Sequence, residues 1–208
     1  MILTLNKLVI ASNNPGKLRE IAAILAPLEI EVLPQGTLGV PEAEEPHCTF
    51  VENALAKARH ASRLTGLPAL ADDSGVCVHA LGGEPGVHSA RYAAGAGAVD
   101  RETQDRLNNE KLLRALAAAE SRSAHYCCVI VLVRHARDPQ PLIAEAEWHG
   151  TILEAPRGDG GFGYDPLFLI PELGRTGAEL APEEKNALSH RGRALALLAQ
   201  RLRELPRD

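Results

Sequence analysis

The sequence predicts an α/β or α+β fold on a mixed, twisted sheet, and three observations carry that prediction. Short β-branched runs alternate with stretches whose apolar residues recur at helical spacing. The 208 residues suffice for one compact domain with a real core, at most divided into two lobes. A composition of 45% hydrophobic and 24% charged residues is ordinary for a globular protein and excludes disorder, collagen and coiled coil.

Lys7 to Ser12 is a β-branched run closed by Asn13, Asn14, Pro15 and Gly16, so a strand turns there into a helix. In that helix Leu18, Ile21, Ala22 and Leu25 share one stripe, and Pro27 marks its end. Glu29 to Leu33 reads as a second strand, followed by an acidic, proline-bearing loop from Thr37 to His47. A second helix begins at Thr49, where the threonine oxygen and the Glu52 carboxylate can cap each other's backbone amides. Pro68 to Asp72 is a third strand, closed by Asp73, Ser74 and Gly75 before the chain extends again over Val76 to Ala80. Asp100 to Glu120 is helical, with Leu107, Leu112, Leu113 and Leu116 on its apolar face. Ala124 to Arg134 and Leu142 to Glu154 are extended runs that Asp138 to Pro141 joins as a hairpin. The last helix carries Leu188, Leu195, Leu198 and Leu202. A break is expected at Ser189, because on one straight helix Lys185 cannot share a face with His190 and Arg191.

With 22 basic against 27 acidic residues the net charge is −5, and only three Phe, three Tyr and one Trp are present. That balance argues against a nucleic-acid partner and for a small ligand. The apolar run Tyr126 to Val133 is far short of the roughly 20 residues that cross a bilayer. Lys7 interrupts the apolar start, Met1 to Ser12, so no export signal is read there. Cys48, Cys77, Cys127 and Cys128 form no C-x-x-C pair, which fits reduced thiols in the cytoplasm.

Several constellations carry chemistry. Ser12 to Lys17 places Asn14 as N-cap and Pro15 in the first turn, leaving helix-start amides for an anion, while Lys17 is a cation where the helix dipole disfavours one. The same misplacement recurs at Lys185 behind Glu183 and Glu184, with His190 and Arg191 following, so an anionic ligand is expected. Asp72 and Asp73 stand at a strand end, where one would face a site and the other would cap the turn or meet solvent. Glu42, Glu44 and Glu45 complete an oxygen-rich Mg²⁺ site if their loop folds over Asp73. Phe162 and Tyr164 lie in the glycine-rich Gly160 to Pro166, which either offers an exposed ring to a flat base, with Asp165 at its edge, or tucks both rings under the hairpin.

Taken in order, Ser12 to Lys17, Thr49 to Ala54, Ala71 to Gly75, Leu81 to Gly86, Ser89 to Tyr92, Gly161 to Pro166 and Glu184 to Arg191 resemble the inosine triphosphate pyrophosphatase family over nearly the whole chain. The bacterial branch is the nearest in pattern. The resemblance implies a single domain, residues 1–208, with an elongated mixed sheet flanked by helices in two lobes about a central cleft, acting as a homodimer. It implies Mg²⁺-dependent hydrolysis of ITP, dITP or XTP to monophosphate and pyrophosphate. Carried over by position, Ser12, Asn13, Asn14, Pro15, Gly16 and Lys17 would bind triphosphate, and Glu44 and Asp73 would hold the metal. Asp73 would also be the general base, with Ser74 beside the substrate. Phe162, Gly163, Tyr164 and Asp165 would pack on and read the purine, and Lys185, His190 and Arg191 would contact phosphate and the 6-oxo edge. Ser12-Asn13 stands where many relatives carry Thr-Gly. A nucleotide sensor without hydrolysis would use the same contacts, but would leave the Glu44 and Asp73 pair without a purpose. A house-cleaning pyrophosphatase for modified pyrimidine or methylated nucleotides is the other enzyme reading.

Overall fold

The computed structural model describes residues 5–93 and 100–204. Met1 to Thr4, the first residues of the apolar start in which no export signal is read, lie outside them. Seven strands among the described residues form one mixed sheet: β1 (Lys7–Ile10), β2 (Glu31–Pro34), β3 (Ala69–Val78), β4 (Ser123–Val133), β5 (Leu142–Ile152), β6 (Phe168–Ile170) and β7 (Arg175–Thr176). Their spatial order is β2-β1-β3-β4-β5-β6-β7. The helices are α1 (Pro15–Leu25), α2 (Phe50–Thr65), α3 (Arg101–Ala115), α4 (Pro182–Leu188) and α5 (His190–Glu204). None is long and apolar enough to cross a membrane.

The chain divides into two compact units. The first comprises Met1–Asp73, Cys128–Ala146 and Arg191–Asp208, and the second Ser74–Cys127 and Glu147–His190.

In the first unit β1 pairs in parallel with β2 and with β3, Lys7 opposite Glu31 and Val9 opposite Ala69. Parallel neighbours need crossovers, and α1 and α2 supply them. The core gathers Leu8, Ile10, Ile21, Leu25, Leu70, Ile130, Leu132, Leu195 and Leu198 around Cys128, which packs as a small hydrophobe. The predicted α1 stripe therefore buries Ile21 and Leu25, while Ala22 is exposed. β2 begins two residues later than predicted because Glu29 takes a left-handed conformation, φ 56°, closing a 3₁₀ turn over Ala26–Leu28. Only half of the expected capping box forms at α2: Thr49 Oγ1 accepts from the Glu52 amide, and the Glu52 carboxylate accepts from the Thr49 hydroxyl instead of its amide. In the connection from β4 to β5, the buried Asp138 carboxylate accepts from the amides of Arg134 and Gln140 and from the Arg134 guanidinium.

In the second unit β5, β6 and β7 run antiparallel, Thr151 opposite Leu169 and Ile170 opposite Arg175. Val76, Val78, Leu112, Leu116, Tyr126, Trp148, Ile152, Leu167 and Phe168 form its core. Asp100 caps α3 by accepting from the Thr103 amide, and the helix ends at Ala115, short of the predicted Glu120.

The turn expected at Asp73 to Gly75 does not exist: β3 runs unbroken from Ala69 to Val78. Gly75 serves a close approach instead, since a Cβ there would lie 2.2 Å from the Gly86 carbonyl oxygen and 2.5 Å from Ser89 Oγ. The Leu81 to Gly86 loop thereby finds its purpose. It returns along β3, with Pro85 bridged to Cys77, while Ser89 Oγ accepts from the Val76 amide and donates to the Gly86 carbonyl. Gly75→Ala is expected to destabilise the protein by at least about 1–3 kcal/mol through overpacking against backbone, read as a lowered denaturation midpoint. An unchanged midpoint would show that this approach is not tight.

Candidate active site

In the first unit, Asn14 at the entrance to α1 accepts from the amides of Gly16 (3.0 Å) and Lys17 (3.4 Å), and Ser12 Oγ accepts from the Asn14 amide. Of the helix-start amides expected to meet an anion, those of Gly16 and Lys17 are taken by the cap, and the side chains of the turn remain to meet one. Lys17, the misplaced cation, finds its compensation in Asp72: Nζ lies 2.9 Å from Oδ2. Arg191 Nε reaches the same oxygen at 3.2 Å, and its guanidinium also pairs with Glu20. Asp72 therefore neither caps a turn nor meets solvent; its side chain is 1% exposed within an ion cluster. Although burial alone would raise it, the surrounding Lys17, Arg191 and Lys57 hold its carboxyl far below the usual carboxylate range. Burial, reinforced by Lys57 and Arg191, lowers the Lys17 pKa despite Asp72.

Asp73 points the other way from β3, as strand alternation requires. Its Oδ1 accepts from Lys57 Nζ at 3.0 Å and its Oδ2 from Asn53 Nδ2 at 3.4 Å. Burial pushes its pKa up against the pull of Lys57 and Lys17. Lys57 also binds Glu45 Oε1 at 2.8 Å, so the acidic loop does come back to Asp73, through Glu45. Glu44 is exposed, while Glu42 accepts from Asn13 Nδ2. Lys57, Asn53 and Glu20 join the candidate site through their contacts without standing out in the sequence, and Glu45 stood out only as part of the acidic loop. For Lys57 and Asn53 a signal existed, because they share the inward stripe of α2 with Ala54, Ala58 and Ala61, where a lysine and an asparagine are out of place.

The donor set suits a hard cation. Asp73 and Glu45 already converge on one ammonium, Lys57, and Glu44 is the next residue in the loop. Among the described residues no group of three or more His, Cys, Asp or Glu side chains gathers for a metal. Mg²⁺ needs only one or two protein carboxylates beside substrate phosphates and water, so these residues fit it.

The second unit holds the aromatic loop and its neighbours. Tyr164 is buried and donates to the Ser89 carbonyl at 2.8 Å, so it offers no exposed ring; Phe162 is half-buried. The glycine-rich pair thus divides its tasks, one ring anchoring the loop and one left at its edge. Asp165 is also buried: Oδ2 accepts from the Phe162 amide at 2.8 Å and from Lys185 Nζ at 2.6 Å. Gly161, at φ 71°, leaves room for that carboxylate, since a Cβ would meet Asp165 Oδ2 at 2.1 Å. Lys185, the second misplaced cation, is neutralised by Asp165 and sits 4.6 Å from the centre of the Phe162 ring. The break before α5 is present, with Ser189 extended at φ −69°, ψ 160°. His190 stacks on Tyr126 with ring centres 4.5 Å apart and planes 3° from parallel. Ser74 is half-buried in the middle of β3.

The sequence model of the Ham1 family matches residues 8–201. A dITP/XTP pyrophosphatase of Ralstonia nicotianae is 66% identical over 199 residues, which cover 96% of this chain and 98% of that protein. The protein of that name from Nitrosomonas europaea is 63% identical, with 96% of each chain covered. Among solved structures, a HAM1 protein from Coxiella burnetii matches with a TM-score of 0.86 at 51% identity, covering 95% of this chain and 98% of that one. The Ham1 protein of Staphylococcus aureus matches at 0.81 and 37% identity over the same shares.

Proposed function

The chain belongs to the Ham1 family, and from that premise we propose that it hydrolyses deaminated purine nucleoside triphosphates, dITP, ITP and XTP, to the monophosphate and pyrophosphate. Such a reaction keeps these bases out of DNA and RNA. The setting of Asp73 carries the proposal: a carboxylate on a central strand, held by Lys57 and Asn53, whose proton affinity burial has raised. A base with a raised pKa is suited to take a proton from the water that attacks phosphorus. Lys57 and Asn53 aim the carboxylate, and Lys57 balances its charge before the proton arrives.

Lys17, Ser12 and Asn13 meet the triphosphate at a turn shaped by Asn14, Pro15 and Gly16, and Ser74 lies beside the substrate. Glu44 and Asp73 would hold Mg²⁺, with Glu45 next to them. When bound, the ion supplies charge neutralisation at the phosphates and acidifies water. On the side of the base, Phe162 offers its ring while Gly163, Tyr164 and Asp165 shape the loop that carries it. Lys185, His190 and Arg191 supply donors to phosphate and to a 6-oxo group. Adenine would turn an amino group toward those donors and leave them unsatisfied, which is a large penalty in a buried site. A nucleotide pool in the cytoplasm is the setting this activity fits, and a second copy of the chain is the partner that the likeness to the family supports.

Lys17→Ala is expected to raise KM for ITP by about tenfold or more, through loss of a charge-assisted contact to phosphate. Unchanged steady-state kinetics would remove Lys17 from the phosphate site. The wider test is a rate panel with Mg²⁺ and ITP, XTP, GTP, ATP and TTP. ITP and XTP should be turned over roughly 100-fold faster than ATP, and ATP or TTP turned over equally well would contradict the proposal.

A further inference from the structure

Gly163 is gripped from α3 at both of its backbone polar groups. Its amide donates to Asp105 Oδ2 at 2.8 Å, and its carbonyl accepts from Asn109 Nδ2 at 2.9 Å. The two side chains stand one helical turn apart, the spacing that places them on one face of α3. Gly163 itself is left-handed at φ 63°, and no atom lies within 4 Å of where its Cβ would be, so glycine is there for the backbone conformation alone. Phe162, the residue before it, has its amide tied to Asp165, with the Arg101 guanidinium 5.6 Å from its ring centre. The backbone on both sides of the Phe162 side chain is therefore fixed by hydrogen bonds.

The grip costs stability. Asn109 Oδ1 is buried and has no hydrogen-bond partner among the described residues, and an orphaned buried acceptor is destabilising. Burial also pushes the Asp105 carboxyl up, against the Gly163 amide and the Arg101 guanidinium 3.9 Å away, so its ion is held in the grip at a disadvantage. Side chains selected for stability alone would not be left in this condition. Such a condition is expected where a loop must be held in one conformation for binding.

We propose that Asp105 and Asn109 are positioning residues for base recognition, clasping Gly163 so that Phe162 is presented to a flat purine. The proposal rests on Phe162 being a base contact in the function proposed above. Hydrogen bonds of this kind correspond to roughly a tenfold change in binding when lost.

The test compares Asp105→Ala, Asn109→Ala and the conservative Asp105→Asn, which keeps a carbonyl oxygen for the Gly163 amide. Calorimetric titration gives the affinity for inosine monophosphate, which carries a base, and for inorganic tripolyphosphate, which does not. Steady-state assays with ITP give KM and kcat, and thermal melting reports folding. Both alanine variants should bind inosine monophosphate about tenfold more weakly and raise KM by the same factor. Tripolyphosphate affinity, kcat and melting temperature should stay near wild type, and Asp105→Asn should restore the binding. Unchanged inosine monophosphate affinity in both alanine variants would overturn the clasp. So would an equal loss of tripolyphosphate affinity, a collapse in melting temperature, or an Asp105→Asn variant as weak as Asp105→Ala. Wild-type protein that binds inosine monophosphate without turning over ITP would overturn the proposed function and leave the titrations to decide the clasp. Absence of inosine monophosphate binding to a wild-type protein that turns over ITP would overturn the clasp alone.

Discussion

Asp73→Asn is expected to lower turnover of ITP by roughly 100-fold or more while the protein stays folded, because removal of a general base costs about 10² to 10⁴ in rate. The substitution keeps the size of the side chain and one oxygen that can accept from Lys57, while its amide nitrogen replaces the oxygen that accepts from Asn53. Burial already strains the ionised carboxylate at this position, and its loss relieves a desolvation penalty. The loss of the Asn53 contact and of part of the Lys57 pairing opposes that gain, so the denaturation midpoint should stay close to wild type. Near-normal turnover in Asp73→Asn would take Asp73 out of the mechanism.

One position earlier the expectation reverses. Asp72→Ala should destabilise the fold by about 3 to 5 kcal/mol, the range for removing one member of a buried ion cluster and stranding its partners. Lys17 and Arg191 both lean on Asp72 Oδ2, and the Arg191 side chain is only 3% exposed. Chemical denaturation would read this as a lowered midpoint, and a midpoint within about 0.5 kcal/mol of wild type would contradict it. The same cluster sets an acid limit. The Asp72 pKa is depressed by folding, so its contribution to stability is complete above about pH 4, the ordinary aspartate range. It is lost as the pH falls from there toward the lower folded value. Adjacent aspartates on opposite faces of one strand thus differ in setting: Asp72 is an ion clamped by Lys17 and Arg191, and Asp73 is the carboxylate whose proton affinity burial raises.

How much of this was legible differs from element to element. Asn14 before Pro15, the Ile21 and Leu25 stripe and the break at Ser189 were readable because caps and helical periodicity are local. The passage of β3 through Asp73, Ser74 and Gly75 was not. Those residues are turn formers, and what keeps them extended is the backbone of Gly86, brought beside Gly75 from eleven residues away. β6 and β7, three and two residues long, are too short to show a period and exist through pairing with their neighbours. Both misplaced lysines pointed to charge chemistry. Their carboxylate partners, Asp72 for Lys17 and Asp165 for Lys185, are 55 and 20 residues away in the chain and could not be paired by spacing. Tyr164 and Phe162 look equivalent in sequence, and the Ser89 carbonyl, which takes the Tyr164 hydroxyl, separates the anchored ring from the half-buried one.

The most direct measurement supplies wild-type protein with Mg²⁺ and ITP and quantifies pyrophosphate and orthophosphate separately from the first turnovers. Inosine monophosphate and pyrophosphate should appear in equal amounts, with no orthophosphate. Orthophosphate as the primary product would make the protein a phosphatase, and ITP bound without any product would make it a nucleotide sensor.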